Sequence, residues 1–318
     1  MFDVGRSAFA YNSSSRKTPP YVMVRPWVIL NPTAGSVTDG EELLKRLSSL
    51  DPAGIDVTEK EGDAALFAKR AIRQHAEYII AAGGDGTLNE VINGIAQDAN
   101  DVVVGLLPLG TGNDFARSLK LPTPVNDNLV ILRAANTRQI DLVRVRSDKV
   151  RYFVNVSAGG FSGLVNEKLT PELKRSWGPL AYVRSAAAAL PELHAYRTKV
   201  ELSDGEKLDL DLYNMIVANG TFVAGGLPVA PEADLSDGLL DVILIPKRST
   251  GEMVLLAAQI VLGNHIGSQS VIFRRTSRLS VKSRPGMWFN ADGELVGNEP
   301  AMFEIIPRAL RFVVPATT

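Results

Sequence analysis

Short apolar runs alternate with amphipathic segments along the first half of the chain. Apolar runs of this length, closed by glycine, proline or asparagine, predict strands that are buried on both faces. The segments between them place apolar residues at helical spacing, and strands that alternate with helices predict a parallel sheet with right-handed crossovers. The loops after the strands then lie at one edge of the sheet. The predicted strands are Trp27–Leu30, Ile55–Thr58, Tyr78–Ala82 and Asp101–Leu107.

The pattern changes from about Asp141 onward. Apolar and polar residues now alternate with a period of two, and Asp-Gly turns separate the runs, which is typical of antiparallel strands. Helical spacing interrupts this pattern around Pro179–Leu190 and Gly251–Gly263, and a last apolar segment, Leu310–Val314, fits either half. The predicted strands are Arg151–Val156, Tyr196–Leu202, Lys207–Val217, Leu239–Ile245, Val271–Val281, Met287–Asn290 and Ala301–Ile306.

Length and composition narrow the class of protein. A chain of 318 residues predicts about two domains, and 34 Lys and Arg against 35 Asp and Glu argue against a protein that binds nucleic acid. There is no cysteine, so disulfides and cysteine zinc sites are excluded. The longest apolar run, Met253–Leu262, is far shorter than the roughly 20 residues that span a bilayer. Residues 1–21 contain no secretory signal and are expected to form a flexible tail, so we expect a cytoplasmic protein that meets membranes only at their surface.

Two glycine loops follow two of the predicted strands. Gly83–Gly86 and Pro108–Arg117 each open a helix, where free N–H groups attract phosphate and glycine lets it approach the backbone. Thr87 and Glu90 match a capping box for the first helix, and Asn113 or Thr111 is the expected cap of the second. The structural alternative is a plain turn between a strand and a helix, because neither loop matches a Walker loop or a dinucleotide fingerprint.

The glycine loops contain acidic residues and no lysine. A carboxylate about 5 Å from a phosphate charge, at an effective dielectric of about 20, is repelled by roughly 3 kcal/mol. Asp85, Glu90 and Asp114 therefore require compensation. A magnesium ion held through water, hydroxyl groups of the substrates, and Arg117 are the available compensators.

Three further stretches of the second half allow a structural and a functional interpretation. Asn290–Glu294 is a hairpin turn or contains a catalytic Asp292, and Gly225–Asp241 is an exposed loop or a cation site. The third stretch is a basic cluster that forms a solvated strand face or binds anionic lipid headgroups. Its members are Arg274, Arg275, Arg278, Lys282 and Arg284.

Four motifs in this order and spacing resemble the diacylglycerol kinase-like lipid kinases, especially their soluble bacterial branch: GGDGTLNE, PLGTGNDFAR, GGLPVAPEADLSDGLLDV and NADGE. The resemblance begins at about Val22 and implies an ATP-binding α/β domain, a mostly antiparallel β-sandwich-like lipid-substrate domain, and an active site in the cleft between them. It also implies that the C-terminal segment returns to the first domain. The expected boundaries are 22–143 with 307–318 for the first domain and 144–306 for the second.

The resemblance implies roles for individual residues. Asp85 and Asp114 belong to a water-linked magnesium network, and Asp292 is the general base with Glu294 nearby. A structural magnesium is expected on the Asp237 side chain and the carbonyl groups of Asp234 and Leu239. The implied nucleotide contacts are Thr58, Gly84, Asp85, Gly86, Thr87, Leu88, Asn89, Glu90, Gly110 and Thr111.

The predicted function is transfer of the γ-phosphoryl group of ATP to a lipid hydroxyl, with a substrate taken at or from a membrane surface. An NAD kinase is the nearest rival because it shares the GGDGT loop, but PLGTGNDFAR argues against it. A lipid-binding regulatory protein without activity is the other rival, and the intact acids Asp85, Asp114 and Asp292 argue against it. A homodimer formed through an edge of the second domain is a further expectation.

Overall fold

The structure is a computed structural model that describes residues 25–96, 102–161, 193–298 and 300–316. The predictions for residues 1–21 and for the helix around residues 179–190 lie outside the described residues.

The first half of the chain is an α/β unit with parallel strands. The strands pair in the order β2-β1-β3-β4, and every residue of β3 is buried, as the continuous apolar run predicts. Its strands are β1 (Trp27–Leu30), β2 (Gly54–Val57), β3 (Tyr78–Gly83) and β4 (Val103–Pro108). Its helices are α1 (Gly40–Ser48), α2 (Asp63–Arg73), α3 (Asp85–Ile95), α4 (Asp114–Ser118) and α5 (Val125–Ala134).

Helices cover both faces of the parallel strands. Successive residues of a strand point to opposite faces, so Ile79 packs with Ile92 of α3, whereas Ile80 packs with Leu47 of α1 in a second core. Burial on both faces leaves the loops at the strand ends as the part of the sheet that a ligand can reach.

The second half is mostly antiparallel, which confirms the predicted fold class. Strand β9 pairs with β7, β8 and β12, and all of these pairs are antiparallel. Within the described residues, this half also contains the helix α6 (Thr250–Val261). The strands are β5 (Thr137–Arg146), β6 (Val150–Phe153), β7 (Val156–Gly160), β8 (Tyr196–Leu202), β9 (Lys207–Ala218), β10 (Phe222–Val223), β11 (Leu227–Pro228), β12 (Leu240–Pro246), β13 (Ile272–Thr276), β14 (Arg278–Arg284), β15 (Phe289–Ala291), β16 (Glu294–Gly297) and β17 (Ala301–Val313).

Strand β17 joins the two halves into one hydrogen-bonded sheet. Its first part pairs with β14 of the second half, and Arg311 and Phe312 pair in parallel with β4 of the first. Strand β5 follows β17 along most of its length, with an irregularity between Ile306 and Leu310. The two apolar segments predicted near the C-terminus are therefore one strand, while the exact domain boundaries stay predictions.

Some predicted elements differ from those observed. The predicted strand Val271–Val281 is two strands, because the chain turns at Ser277 between β13 and β14. Strand β5 was not predicted because its first three residues are polar and exposed, so it is recognisable only by its pairing with β17. Among the described residues, no helix is long and apolar enough to cross a membrane.

Candidate active site

The two glycine loops touch each other at the edge of the parallel strands. A Cβ atom placed on Gly110 would lie 2.6 Å from the Cα of Gly84, and one placed on Gly84 would lie 3.1 Å from the Cα of Gly110. The Leu109 N–H donates to the Gly83 carbonyl at 2.8 Å. Glycine is required at both positions because any side chain would push the two backbones apart.

The first glycine loop presents the start of α3. The helix begins at Asp85, and Gly84 occupies the cap position without a side-chain hydrogen bond. Thr87 is therefore not the cap, and the predicted capping box is wrong. The buried Thr87 hydroxyl instead accepts a hydrogen bond from Asn31 Nδ2 at 3.2 Å and packs against Gly83. N–H groups in the first turn of a helix have no acceptor within that helix, so they are available to a ligand.

The next three residues of α3 direct their side chains away from the loop. Leu88 lies in the core between α3 and the sheet. Asn89 donates to the Tyr152 carbonyl at 3.3 Å, and Glu90 accepts from the Ala64 N–H at the start of α2 at 3.0 Å. The predicted nucleotide contacts of Leu88, Asn89 and Glu90 stay predictions, and the described side chains serve packing and capping.

The carboxylate of Asp85 caps α4. Its two oxygens accept from the N–H groups of Asp114 and Phe115, both at 3.1 Å. Asn113 was expected to cap α4 with its side chain, but the structure shows no such hydrogen bond. It has φ +51°, and its amide closes the second glycine loop by bonding Gly110 N at 2.9 Å and Gly110 O at 2.7 Å. Asp85 thus holds the two glycine loops in a fixed relation.

Asp114 connects α4 to the second half of the chain. Its buried carboxylate accepts from the N–H of Gly225 at 3.0 Å and from the N–H of Gly226 at 2.7 Å. Both glycines have positive φ, which lets consecutive N–H groups point at one carboxylate. Burial raises the pKa of Asp114, and the negative charge of Asp85 raises it further against the effect of these hydrogen bonds. We call this contact the Asp114 clasp.

Asp292 is both a turn residue and a carboxylate held in place. It lies between β15 and β16 with φ +48°, so the hairpin interpretation is confirmed. Its side chain accepts from the N–H groups of Val154 at 3.0 Å, Asn155 at 3.2 Å and Val156 at 2.9 Å. Three backbone donors fix the orientation of the carboxylate.

The environment of Asp292 makes it more basic than an ordinary aspartate. Burial raises its pKa to about 6, the charge of Asp85 contributes to the rise, and the hydrogen bonds from Val154 and Val156 oppose it. The charge of Asp85, at the start of α3, acts on Asp292, so Asp292 lies near the first glycine loop. The structure therefore brings together Asp85, Asp114 and Asp292 from both halves of the chain.

The site contains three carboxylates, and the water-linked magnesium ion expected on Asp85 and Asp114 stays a prediction. Among the described residues, none of them forms an ion pair with lysine or arginine, and Arg117 only lowers the pKa of Asp114 through its charge. The described part of the chain contains no group of three acidic, His or Cys side chains that could hold a metal directly. Magnesium usually keeps several of its waters, so converging carboxylates are a suitable outer environment.

At the predicted structural magnesium site, both carboxylate oxygens of Asp237 already accept hydrogen bonds from the protein. One oxygen of Asp237 accepts from the Leu239 N–H at 2.9 Å, and the other accepts from the Arg275 guanidinium. Arg275 also pairs with the buried Asp241 at 2.8 Å. These groups do not fit a bound magnesium as they stand, because a metal on Asp237 would have to displace Arg275. The site formed with Asp234 and Leu239 stays a prediction.

The remaining predicted residues lie at the same edge as the glycine loops or beside Asp292. Thr58 follows β2 and is partly buried, and Thr111 is exposed with its hydroxyl 3.1 Å from the position of a Cβ on Gly35. Glu294 begins β16, two residues after Asp292. Within the basic cluster, Arg274 pairs with Glu206 at 2.8 Å, so part of that cluster is already neutralised.

Backbone donors are the functional groups that sequence reasoning missed. The N–H groups of residues 154–156 hold Asp292, and those of Gly225 and Gly226 hold Asp114. Every residue except proline carries a backbone N–H, so the sequence does not show which of them will bind a carboxylate. The glycine pair was the only available signal, because consecutive glycines permit such a cradle.

Comparisons with known proteins agree with this architecture. A family model described as diacylglycerol kinase catalytic domain matches residues 25–145, and one described as YegS C-terminal NAD kinase beta sandwich-like domain matches residues 155–314. A diacylglycerol kinase of Staphylococcus haemolyticus (strain JCSC1435) is 34% identical over 297 residues, which are 91% of this chain and 87% of the relative. A diacylglycerol kinase of Staphylococcus aureus (strain bovine RF122 / ET3-1) is 32% identical over 92% of both chains.

Solved structures share the fold. A protein of Bacillus anthracis str. Sterne superposes with a TM-score of 0.79 at 21% identity, covering 97% of this chain and 99% of its own. A second structure from the same organism, described as a diacylglycerol kinase, has a TM-score of 0.70 at 18% identity over 92% of this chain and 97% of its own.

Proposed function

The chain belongs to the diacylglycerol kinase family and is a lipid kinase, and from this premise we propose that it transfers the γ-phosphoryl group of ATP to the hydroxyl group of a diacylglycerol-like lipid. The observation that supports this reaction best is the placement of Asp292, a carboxylate with a pKa of about 6 beside the two paired glycine loops. The relatives described as diacylglycerol kinases support the choice of lipid.

Asp292 acts as the general base. With a pKa of about 6 it is mostly ionised at neutral pH and still basic enough to accept a proton from a hydroxyl group. A carboxylate offers about four lone-pair positions. Backbone N–H groups occupy three of them, so one remains for the lipid hydroxyl. Asp292 as a whole residue is only partly buried, and we propose that the substrate reaches this remaining position.

The two glycine loops hold the donor nucleotide. Their backbones approach each other without intervening side chains, and the first-turn N–H groups of α3 are free to bind phosphate oxygens. Phosphoryl transfer requires mainly positioning and charge stabilisation, so such a cradle and one base are sufficient protein machinery. A magnesium ion near Asp85 and Asp114, when bound, supplies positive charge that offsets the repulsion between carboxylates and phosphates.

Buried apolar side chains anchor the Gly225–Pro231 loop to the core of the second half. Val229 and Ala230 of this loop pack with Ile216 and Ile243 of the neighbouring strands. The loop is fixed to the nucleotide side by the Asp114 clasp. We propose that the lipid reaches Asp292 along the partly buried side chains of this region, Val223 and Leu227.

The test is substitution of the base with a matched control. Asp292→Asn is expected to lower kcat by roughly 10²–10⁴-fold, because the amide cannot accept the hydroxyl proton, while the affinity for ATP is retained. Asp204→Asn changes an aspartate in an exposed Asp-Gly turn and is expected to leave kcat unchanged.

The assay uses labelled ATP with a panel of lipids and with NAD as a control acceptor. Phosphorylation of diacylglycerol by the wild type and its loss in Asp292→Asn would support the proposal. Phosphorylation of NAD alone, or a fully active Asp292→Asn enzyme, would contradict it.

A further inference from the structure

Helix α6 is apolar on both of its sides. Met253 and Leu256 are buried and pack with Ile243 of the second-half core. On the opposite side, Val254 is 36% exposed and Leu255 is 59% exposed. Leu262, the residue that follows the helix, is 74% exposed.

These exposed side chains form one stripe. At about 100° per residue, positions 251, 254, 255, 258 and 262 fall within a roughly 100° arc of the helix surface. Besides the three exposed apolar residues, this arc contains only Gly251 and Ala258. We call the exposed residues Val254, Leu255 and Leu262 the α6 stripe.

The α6 stripe departs from the pattern of an ordinary surface helix. The outer face of α1 carries Glu41, Glu42, Lys45 and Arg46, as expected for a helix that faces water. In contrast, no charged residue occurs between Glu252 and Leu262. A helix that is apolar all round is normally covered by a partner.

Charge next to the stripe indicates what that partner is. Lys247 and Arg248 are exposed immediately before the helix, and Arg248 is held there by a hydrogen bond to the Gln269 carbonyl at 3.1 Å. Basic residues beside an apolar helix face suit the headgroups and acyl boundary of an anionic bilayer. Two of the five residues of the basic cluster, Arg274 and Arg275, are by comparison already paired with acids.

The residues after the C-terminal end of α6 contact the Gly225–Pro231 loop, which Asp114 connects to the active site. A Cβ placed on Gly263 would lie 3.3 Å from Pro228, and His265 bonds the Val229 carbonyl at 2.8 Å. The same loop begins with Gly225, whose N–H donates to Asp114 in the clasp. A bilayer that contacts α6 would therefore lie next to the Gly225–Pro231 loop, along which we propose that the lipid reaches Asp292.

We propose that the α6 stripe inserts into the surface of an anionic bilayer while Lys247 and Arg248 contact its headgroups. The proposal rests on the proposed function, since it assigns the face through which the lipid substrate enters. A second copy of the chain fits the stripe less well, because three side chains fall well short of the roughly 800 Å² per partner that a stable interface buries.

The first experiment measures sedimentation of the full chain with phosphatidylcholine vesicles, with and without phosphatidylglycerol, in the absence of ATP. The double variant Leu255→Ser with Leu262→Ser is expected to bind vesicles at least about tenfold more weakly than the wild type. The matched control, Leu66→Ser with Val130→Ser, changes side chains that are 61% and 63% exposed in the first half and is expected to bind like the wild type. Thermal melting of each variant checks that it is folded.

The second experiment changes charge alone. Lys247→Gln with Arg248→Gln is expected to abolish the preference for vesicles that contain phosphatidylglycerol. A wild type that binds neither vesicle, or a Leu255→Ser, Leu262→Ser variant that binds like the wild type, would overturn the proposal. A wild-type dimer that the same variant converts to a monomer would assign the stripe to self-association instead.

Activity separates this proposal from the proposed function. With a short-chain lipid dispersed as monomers, the stripe variant is expected to keep the wild-type kcat, whereas its kcat/KM on vesicle substrate falls with vesicle binding. Vesicle binding without phosphorylation of any lipid would contradict the proposed function and leave the docking surface supported.

Discussion

At the scale of single residues, the proposed chemistry depends on the balance of effects that sets the pKa of Asp292. Burial and the neighbouring charge of Asp85 raise its pKa, whereas the N–H groups of Val154 and Val156 lower it. The resulting value of about 6 keeps the group ionised near neutrality without making it too weak a base. The same N–H groups fix its orientation, so one set of contacts determines both its position and its basicity.

The pH dependence of the reaction follows from this balance. Because protonation removes the acceptor, kcat/KM is expected to fall about tenfold per pH unit below roughly pH 6 and to be flat just above it. Steady-state rates measured across this range check the expectation, with calorimetric ATP binding as a control for the nucleotide site. A rate profile without an acidic limb would contradict the role of Asp292.

Arg275 binds the carboxylate of Asp237, on which a structural magnesium ion is predicted. It bridges Asp237 and Asp241, and Asp241 is only 2% exposed. Arg275→Met is expected to destabilise the protein by about 2 kcal/mol, because it leaves a buried carboxylate without its counter-ion. The control, Arg138→Met, breaks an exposed pair with Asp234 and is expected to cost less than about 1 kcal/mol.

Thermal melting with magnesium or EDTA tests the same residue against the predicted metal. If Arg275 is the counter-ion of Asp237, neither additive changes the Tm of the wild type in the absence of ATP. A rise of Tm with magnesium that Asp237→Asn abolishes would instead support the predicted site of Asp234, Asp237 and Leu239.

At the scale of elements, the two strand-to-helix loops work as a pair. Each loop looks like an ordinary glycine turn by itself, and the contact between Gly84 and Gly110 joins them into the single cradle that we propose binds phosphate. Asp85 strengthens the pair by capping α4 from the start of α3. The cradle is therefore a property of two elements and not of either motif alone.

Gly110→Ala tests the contact between the loops. The added Cβ would lie 2.6 Å from the Gly84 Cα, so the loops must separate, and we expect ATP affinity to fall at least about tenfold. Gly40→Ala is the control, since a Cβ there meets open space, and its ATP affinity should match that of the wild type. Equal calorimetric affinities for all three proteins would refute a shared cradle.

At the scale of the whole molecule, strand β17 makes the two halves one structure. It pairs with β14 on one side of the molecule and with β4 on the other, and the Asp114 clasp adds a second connection at the active site. A site assembled from both halves requires such coupling, because small shifts of a base relative to a phosphoryl donor greatly slow transfer.

Coupling through β17 predicts a single unfolding transition. Phe312 and Phe303 are both fully buried on this strand, Phe312 in a core of the first half and Phe303 in a core of the second half. Phe312→Ala and Phe303→Ala are each expected to cost about 3–5 kcal/mol. In calorimetry, both should lower the Tm of the same single peak. Two peaks, one sensitive to each variant, would show that the halves unfold independently.

The sequence determined the local structure and the kind of chemistry. Buried strands such as Tyr78–Gly83 and the glycine turns follow from apolar periodicity and backbone freedom, which are local properties. The roles predicted for Asp85, Asp114 and Asp292 follow instead from the order and spacing of the four motifs that resemble the family. Only the tertiary structure decided which groups hold these acids. The donors to Asp292 are backbone N–H groups more than 130 positions away in the chain, and β5 is a strand because it lies beside β17. Backbone donors and strand pairing depend on distant segments meeting, so no local pattern encodes them.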